Sequence, residues 1–185
     1  MTVKYRSTVK YRSTMITMQL SLMVLLGGCA AALPETRAEV PESLRIPADP
    51  SPALRTHGVG VQIYGCLADK ENAARFEWQL RAPEADLFDH AGKKLGRHYA
   101  GPTWEALDGS MVTGEVAARA DSPDPGSIAW LLLRAKTTSG SGIFGNVRFI
   151  QRLRTVGGGA PADGCSPGTV GSEVRVRYSA DYWFY

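Results

Sequence analysis

The sequence predicts an all-β fold, a single-domain antiparallel β-sandwich or small β-barrel with one disulfide. Three observations carry that expectation. Short runs alternate apolar and polar residues with period two, the repeat that sends successive side chains to opposite faces of a strand. The 185-residue chain holds 20 Gly and 11 Pro, about 17% of its residues against roughly 12% in ordinary proteins, and this favours turns. No stretch gives an amphipathic helix of three turns.

In the first run, Val59, Val61 and Ile63 alternate with Gly60, Gln62 and Tyr64 and lead into Cys66. Next, Phe76, Trp78 and Leu80 alternate with Arg75, Glu77, Gln79 and Arg81, as in a half-buried strand. Shorter strands are expected at 85–88, 94–99, 103–106, 111–118 and 147–155. Asp89-His90-Ala91-Gly92 and Asp108-Gly109-Ser110 carry turn chemistry between them. Ala129–Leu133 is continuously apolar, as expected of a strand covered on both sides. The clearest strand is the last. Val174, Val176, Tyr178, Ala180, Tyr182 and Phe184 share one face, and Arg175, Arg177, Ser179 and Asp181 the other. A membrane-spanning barrel is disfavoured, because a lipid-facing surface would then carry Asp181 and Arg177.

The start of the chain reads as an address. Val3–Thr8 and Val9–Thr14 repeat the same six residues, with Lys4, Arg6, Lys10 and Arg12 as the only charges. The apolar run Ile16–Leu26 is too short to span a bilayer as a helix, which needs about 20 residues. A basic start, a short apolar run and small residues make a secretory signal. Leu26-Gly27-Gly28-Cys29 resembles a lipobox, so residues 1–28 are expected to be a lipoprotein-type signal and Cys29 the acylated residue that reaches the membrane. The competing reading is ordinary cleavage near Ala30-Ala31-Ala32 and secretion. Ala30 after Cys29 fits an outer-membrane lipoprotein facing the periplasm or the cell surface. Residues 29–56 hold Pro34, Pro41, Pro47, Pro50 and Pro52 and read as a tether, part of which lies along the domain through Leu44 and Ile46. The β-rich domain is expected over 57–185.

Charge and cysteines bound the function. Without residues 1–28 the chain keeps 17 basic against 18 acidic groups, so its net charge of +3 belongs to the leader and nucleic acid is excluded as a partner. With Cys29 spent on lipid, Cys66 and Cys165 remain as a pair that an oxidising compartment would join; two buried thiols are the alternative.

The densest polar and aromatic cluster is Arg97-His98-Tyr99 followed by Gly101-Pro102-Thr103-Trp104-Glu105. Here His98 and Glu105 would form an acid–base pair if the connection folds back, and Trp104 would stack on a sugar or other ring. The bland reading makes Trp104 a core residue and has His98 bond a backbone carbonyl. Gly140-Ser141-Gly142-Ile143-Phe144-Gly145 matches a dinucleotide-binding turn but lacks the strand–helix–strand context, which favours a hairpin connection. His57, His90 and His98 have no metal-site spacing. Arg148, Arg152 and Arg154 share a parity and read as a cationic stripe or as a solvated edge paired with acids.

The quoted motifs resemble a family catalogued as domain of unknown function 3455, found in exported bacterial and fungal proteins. The resemblance rests on Gly60–Tyr64 with Cys66, Trp78, Ala82–Asp89, Gly92, Gly96 with His98, Gly101–Glu105, Asp108–Ser110 and Trp130–Leu132. It continues through Gln151-Arg152, Thr155 with Gly157-Gly158, Pro161, Cys165 and Tyr178-x-Ala180-Asp181-Tyr182, so it covers about 57–185. It implies an exported, β-rich protein, is consistent with a Cys66–Cys165 pair, and supplies no functional residues.

The expected function is a binding or structural role at the cell envelope. A glycan or small ligand would sit near His98, Trp104 and Glu105, and surface aromatics such as Trp104 and Trp183 would contribute. The alternative is an envelope enzyme or metal-binding protein using His98, Glu105 and Asp108. A third is a nucleotide-dependent oxidoreductase working through Gly140–Gly145. No catalytic set, cofactor or metal is assigned.

Overall fold

The computed structural model describes Met1, residues 40–48 and residues 50–185. The expected signal, the lipidation of Cys29 and most of the expected tether lie outside the described residues.

Eight strands follow one another in chain order and close into an antiparallel barrel: β1 (Leu54–Ala68), β2 (Phe76–Phe88), β3 (Lys94–Tyr99), β4 (Thr103–Ala106), β5 (Met111–Ala120), β6 (Trp130–Ser139), β7 (Phe149–Gly157) and β8 (Glu173–Phe184). Of the two expected architectures, the barrel is the one formed. Closure comes from β1 pairing with β8, from Leu54↔Phe184 to Gly65↔Glu173. Every strand thus has two neighbours, but β2 before Ala85 and β5 after Thr113 run past the short β3 and β4 and pair on one side only.

The period-two runs fold as strands because alternation buries one face. On β8, Tyr178, Ala180, Tyr182 and Phe184 point into the barrel, where Trp104, Leu133, Ile150 and Phe144 join them. The outer wall is polar, with ion pairs Lys94–Asp86, Arg97–Glu105 and Arg175–Glu84. Two expected strands, 76–81 and 85–88, form the single strand β2. Pro83 is accommodated within it, next to the register shift of the β1–β2 ladder between Ile63 and Tyr64. On β1 the alternation gives way at the Ile63/Tyr64 register shift, where 62–66 are all buried, and the inner face of its first part is the less hydrophobic one. Gln62 and Tyr64 are buried, while Val59 is 48% exposed. Inward glycines make room there; a Cβ on Gly58 would lie 2.6 Å from the Tyr182 ring.

The outside of β6–β8 is covered as well. Val40, Leu44 and Ile46, around a 3-10 turn at Glu42–Leu44, pack on Trp130, Leu132, Leu153 and Trp183. Gln151 fastens this strap. Its Nε2 donates to the Leu44 carbonyl at 2.7 Å, and its Oε1 accepts from the Tyr185 hydroxyl at 2.7 Å. The apolar run at 129–133 is therefore covered on both faces, by the barrel interior and by the strap. Trp183, expected as a surface aromatic, is 2% exposed beneath it.

The two barrel ends differ. At one end the 140–148 loop drops Phe144 into the interior against Phe184, ring centroids 4.7 Å apart. The opposite end carries the β1–β2, β3–β4, β5–β6 and β7–β8 connections. There Cys66 is joined to Cys165, with Cα atoms 5.3 Å apart. Trp78 Nε1 donates to the Asp163 carbonyl at 2.8 Å, and the Tyr64 hydroxyl donates to that of Gly158 at 2.6 Å. The disulfide pins the long β7–β8 connection to the end of β1.

Candidate functional site

Antiparallel pairing of β3 with β4 sets His98 opposite Trp104 and Arg97 opposite Glu105. Neighbouring residues on a strand face opposite ways. His98 and Trp104 therefore point into the barrel, and Arg97 and Glu105 point out. Short β3–β4 geometry thus separates the expected acid–base pair. Glu105 accepts from Arg97 Nη2 at 2.8 Å and from the Tyr99 hydroxyl at 2.9 Å. The Arg97 hydrogen bond first, then that of Tyr99, holds its carboxyl below the usual range.

Inside, His98 lies flat on Trp104, ring centroids 4.4 Å apart and planes 12° apart. Its Nδ1–H donates to the Thr103 carbonyl at 2.8 Å, which fixes the ring. Burial pushes its pKa down to about 3, against a partial rise from the Thr103 bond. His98 is therefore neutral at neutral pH, and Nε2 carries the lone pair.

Asp108 works elsewhere. In the β4–β5 turn its Oδ1 accepts from the Ser110 N–H at 2.8 Å and the Ser110 hydroxyl at 2.6 Å. Its Oδ2 accepts from Ile143 N–H at 2.9 Å, and Ser110 Oγ accepts from Phe144 N–H at 3.1 Å. This latch seats the Phe144 plug. The Ser110 hydroxyl first, then the Ile143 and Ser110 amides, lowers the Asp108 pKa. Gly140–Gly145 is accordingly the β6–β7 connection, closing an end of the barrel.

His98 and Trp104 line a cavity of about 410 Å³ that extends toward the disulfide-bearing end, beside Gly101 and Pro102 of the β3–β4 turn. Its deep wall includes Gln62, Leu133 and Tyr182, all buried. Leu80 and Val116, 55% and 56% exposed, stand at its mouth. Two buried donors on this lining, Gln62 Nε2 and Trp104 Nε1, have no partner among the described residues. Buried polar groups are ordinarily satisfied, so these two stand out.

Three arginines complete the lining: Arg81 from β2, Arg119 from β5 and Arg152 from β7. Arg152 is the deepest. It donates Nε at 3.1 Å and Nη2 at 2.8 Å to the Ala129 carbonyl. Burial, with a smaller push from Arg119, lowers its pKa, while Tyr182 and Tyr178 oppose that shift. The expected cationic stripe of Arg148, Arg152 and Arg154 does not form. Arg152 turns inward with buried Ile150, Arg148 is exposed, and Arg154, at φ 48°, reaches Asp181 at 3.4 Å on the outer wall. Sequence reasoning missed Gln62, Arg81, Arg119 and the inward turn of Arg152. The available signal was the shared parity of Arg152 with Ile150.

The other histidines lie outside this cavity. His57 Nδ1 is 2.9 Å from Asp181 Oδ1 on the outer wall, and His90 is exposed in the β2–β3 turn. No group of three or more metal-ligating side chains occurs among the described residues. None of their helices is long and apolar enough to cross a membrane.

The family model described as a protein of unknown function, DUF3455, matches residues 47–185. The chain belongs to the DUF3455 family. The match spans all eight strands, both cysteines of the disulfide and every cavity residue, so the DUF3455 segment and the barrel coincide. No curated protein and no solved structure matches the chain.

Proposed function

We propose that this protein is an exported ligand-binding barrel of the cell envelope, held at a membrane through a lipid on Cys29, and that its cavity takes one small ligand against His98 and Trp104. The observation that carries the binding role is the cavity. About 410 Å³ lies within the range of small-molecule sites, and an eight-stranded barrel has room for one small ligand. Its lining combines an aromatic wall with buried donors that have no partner among the described residues. Neutral His98 adds a ring that stacks and accepts but carries no charge. Support for export comes from the basic start, the Ile16–Leu26 run and Leu26-Gly27-Gly28-Cys29, together with a disulfide of the kind that persists in oxidising compartments.

Two experiments test the two halves. A fragment library read by ligand-observed NMR should yield binders that Val116→Trp, placed at the exposed mouth, displaces without lowering the melting temperature. A library with no binder, or binders indifferent to that substitution, counts against the cavity. Cells fed labelled palmitate should label the protein, and Cys29→Ser should abolish the label; label retained in the serine variant overturns the anchor.

A further inference from the structure

We propose that the ligand of this cavity is a small amphipathic carboxylate, with its head held by Arg119 and Arg152 and its apolar body lying toward Trp104 and Leu133. This rests on the cavity-binding reading above and specifies its chemistry. Charge in the cavity is unbalanced. Arg81, Arg119 and Arg152 line one cavity, and among the described residues no Asp or Glu lines it with them. Four cations on the outer wall, by contrast, are matched by acids: Arg97 by Glu105, Lys94 by Asp86, Arg154 by Asp181 and Arg175 by Glu84. Arg152 is largely withdrawn from water, and its hydrogen-bond partners, the Ala129 carbonyl and the Tyr182 hydroxyl, are both neutral. A guanidinium so placed gains from an anion, because desolvation of the cation is otherwise offset only in part.

The unsatisfied polar groups agree in sign. Gln62 Nε2 and Trp104 Nε1 are donors, as are the guanidiniums. A site rich in donors and poor in acidic acceptors fits an anion; it does not fit a cation. The planar fork of arginine favours a carboxylate with two equivalent oxygens. The aromatic and aliphatic part of the lining, Trp104, Leu131 and Leu133, calls for an apolar body behind that head. Leu80 and Val116 extend the apolar surface to the mouth.

The test compares matched pairs that differ only in charge: octanoate with octanamide, and phenylacetate with phenylacetamide, by isothermal titration calorimetry on the leaderless oxidised protein. Each acid should bind at least tenfold tighter than its amide, and 0.5 M NaCl should erode that advantage. Arg119→Glu, at an exposed mouth position, should abolish the preference; circular dichroism and a melt establish that the variant is folded. Equal affinity for acid and amide overturns the carboxylate assignment and leaves the cavity reading intact. An acid preference that survives Arg119→Glu overturns the location of the head. Binding of neither member of either pair, while the fragment library yields Val116-sensitive ligands, overturns the carboxylate alone; failure of both screens removes the two readings together.

Discussion

His98 is stacked on Trp104 inside the barrel, 4.4 Å between ring centroids, with its Nδ1–H tied to the carbonyl of the residue preceding that tryptophan. The pair is at once part of the core and part of the cavity wall. Tyr182 and Phe184 meet the indole edge-on at 5.6 and 6.1 Å. Any change to either ring therefore has both a stability and a binding readout.

The unfolded chain protonates His98 near its ordinary pKa of 6.5, whereas the folded barrel does so only near 3. Between those values the unfolded state binds more protons. Stability thus falls on acidification, by up to ~1.4 kcal/mol per pH unit from this group. His98→Gln should flatten that share of the slope in urea denaturation at pH 7 and pH 4.5. An identical slope in both proteins would falsify the burial of a neutral ring.

Trp104→Ala should cost about 3–5 kcal/mol, the range for deleting a large buried aromatic. Trp104 is 1% exposed and contacts His98, Tyr182 and Phe184, so the hole left is lined by rings. Chemical denaturation measures it. A loss under 1 kcal/mol is the contrary result.

Reducing Cys66–Cys165 should lower stability by roughly 2–5 kcal/mol, since the bridge closes a long loop in the unfolded chain. The separation is 99 residues. The check is denaturation of a Cys66→Ala/Cys165→Ala variant beside the oxidised protein, and coincident midpoints would refute it.

Asp108→Ala should free the Phe144 plug. Hydrogen exchange at the Ile143 and Phe144 amides should accelerate, because their acceptors are Asp108 Oδ2 and the Ser110 hydroxyl that Asp108 orients. The Asp108 pKa is depressed, so the latch persists through the ordinary carboxylate range and is lost only as pH falls through the lowered value. Unchanged exchange in the variant tells against the latch.

Leu44→Ala tests the strap. Leu44 is fully buried against the outer wall, and its truncation should cost about 2–5 kcal/mol. Faster proteolysis near residues 40–46 should accompany the loss. A protease pattern like that of the parent chain would mean that the strap is held by other contacts.

How far these features could be read in advance depends on the range of the interactions behind them. Alternation located strands such as Tyr178–Phe184, and turn chemistry located Asp89–Gly92 and Asp108–Ser110, because both are local. Sandwich against barrel was not decidable, since the choice rests on β1 meeting β8. Trp183 shares its parity with Arg177 and Asp181 and reads as exposed; its cover comes from Leu44, far away in the chain. Arg152 was misplaced for a subtler reason. It shares a face with Ile150, whose burial takes that face inside, and the left-handed turn at Arg154 then sends the next arginine out. In the site, His98 and Trp104 were legible as a cluster. Glu105 was drawn in by proximity in sequence, although one residue along a strand is enough to change sides.

Pairing the first strand with the last has a consequence for manufacture. Residues 54–65 find their second partner only in 173–184. A ribosome delivers the intervening chain over on the order of ten seconds, during which the β1 edge has no β8 to meet. Until then the nascent sheet is an open ribbon able to zip onto a neighbour's. Yield should therefore depend on keeping emerging chains apart, more than on the stability of the finished barrel.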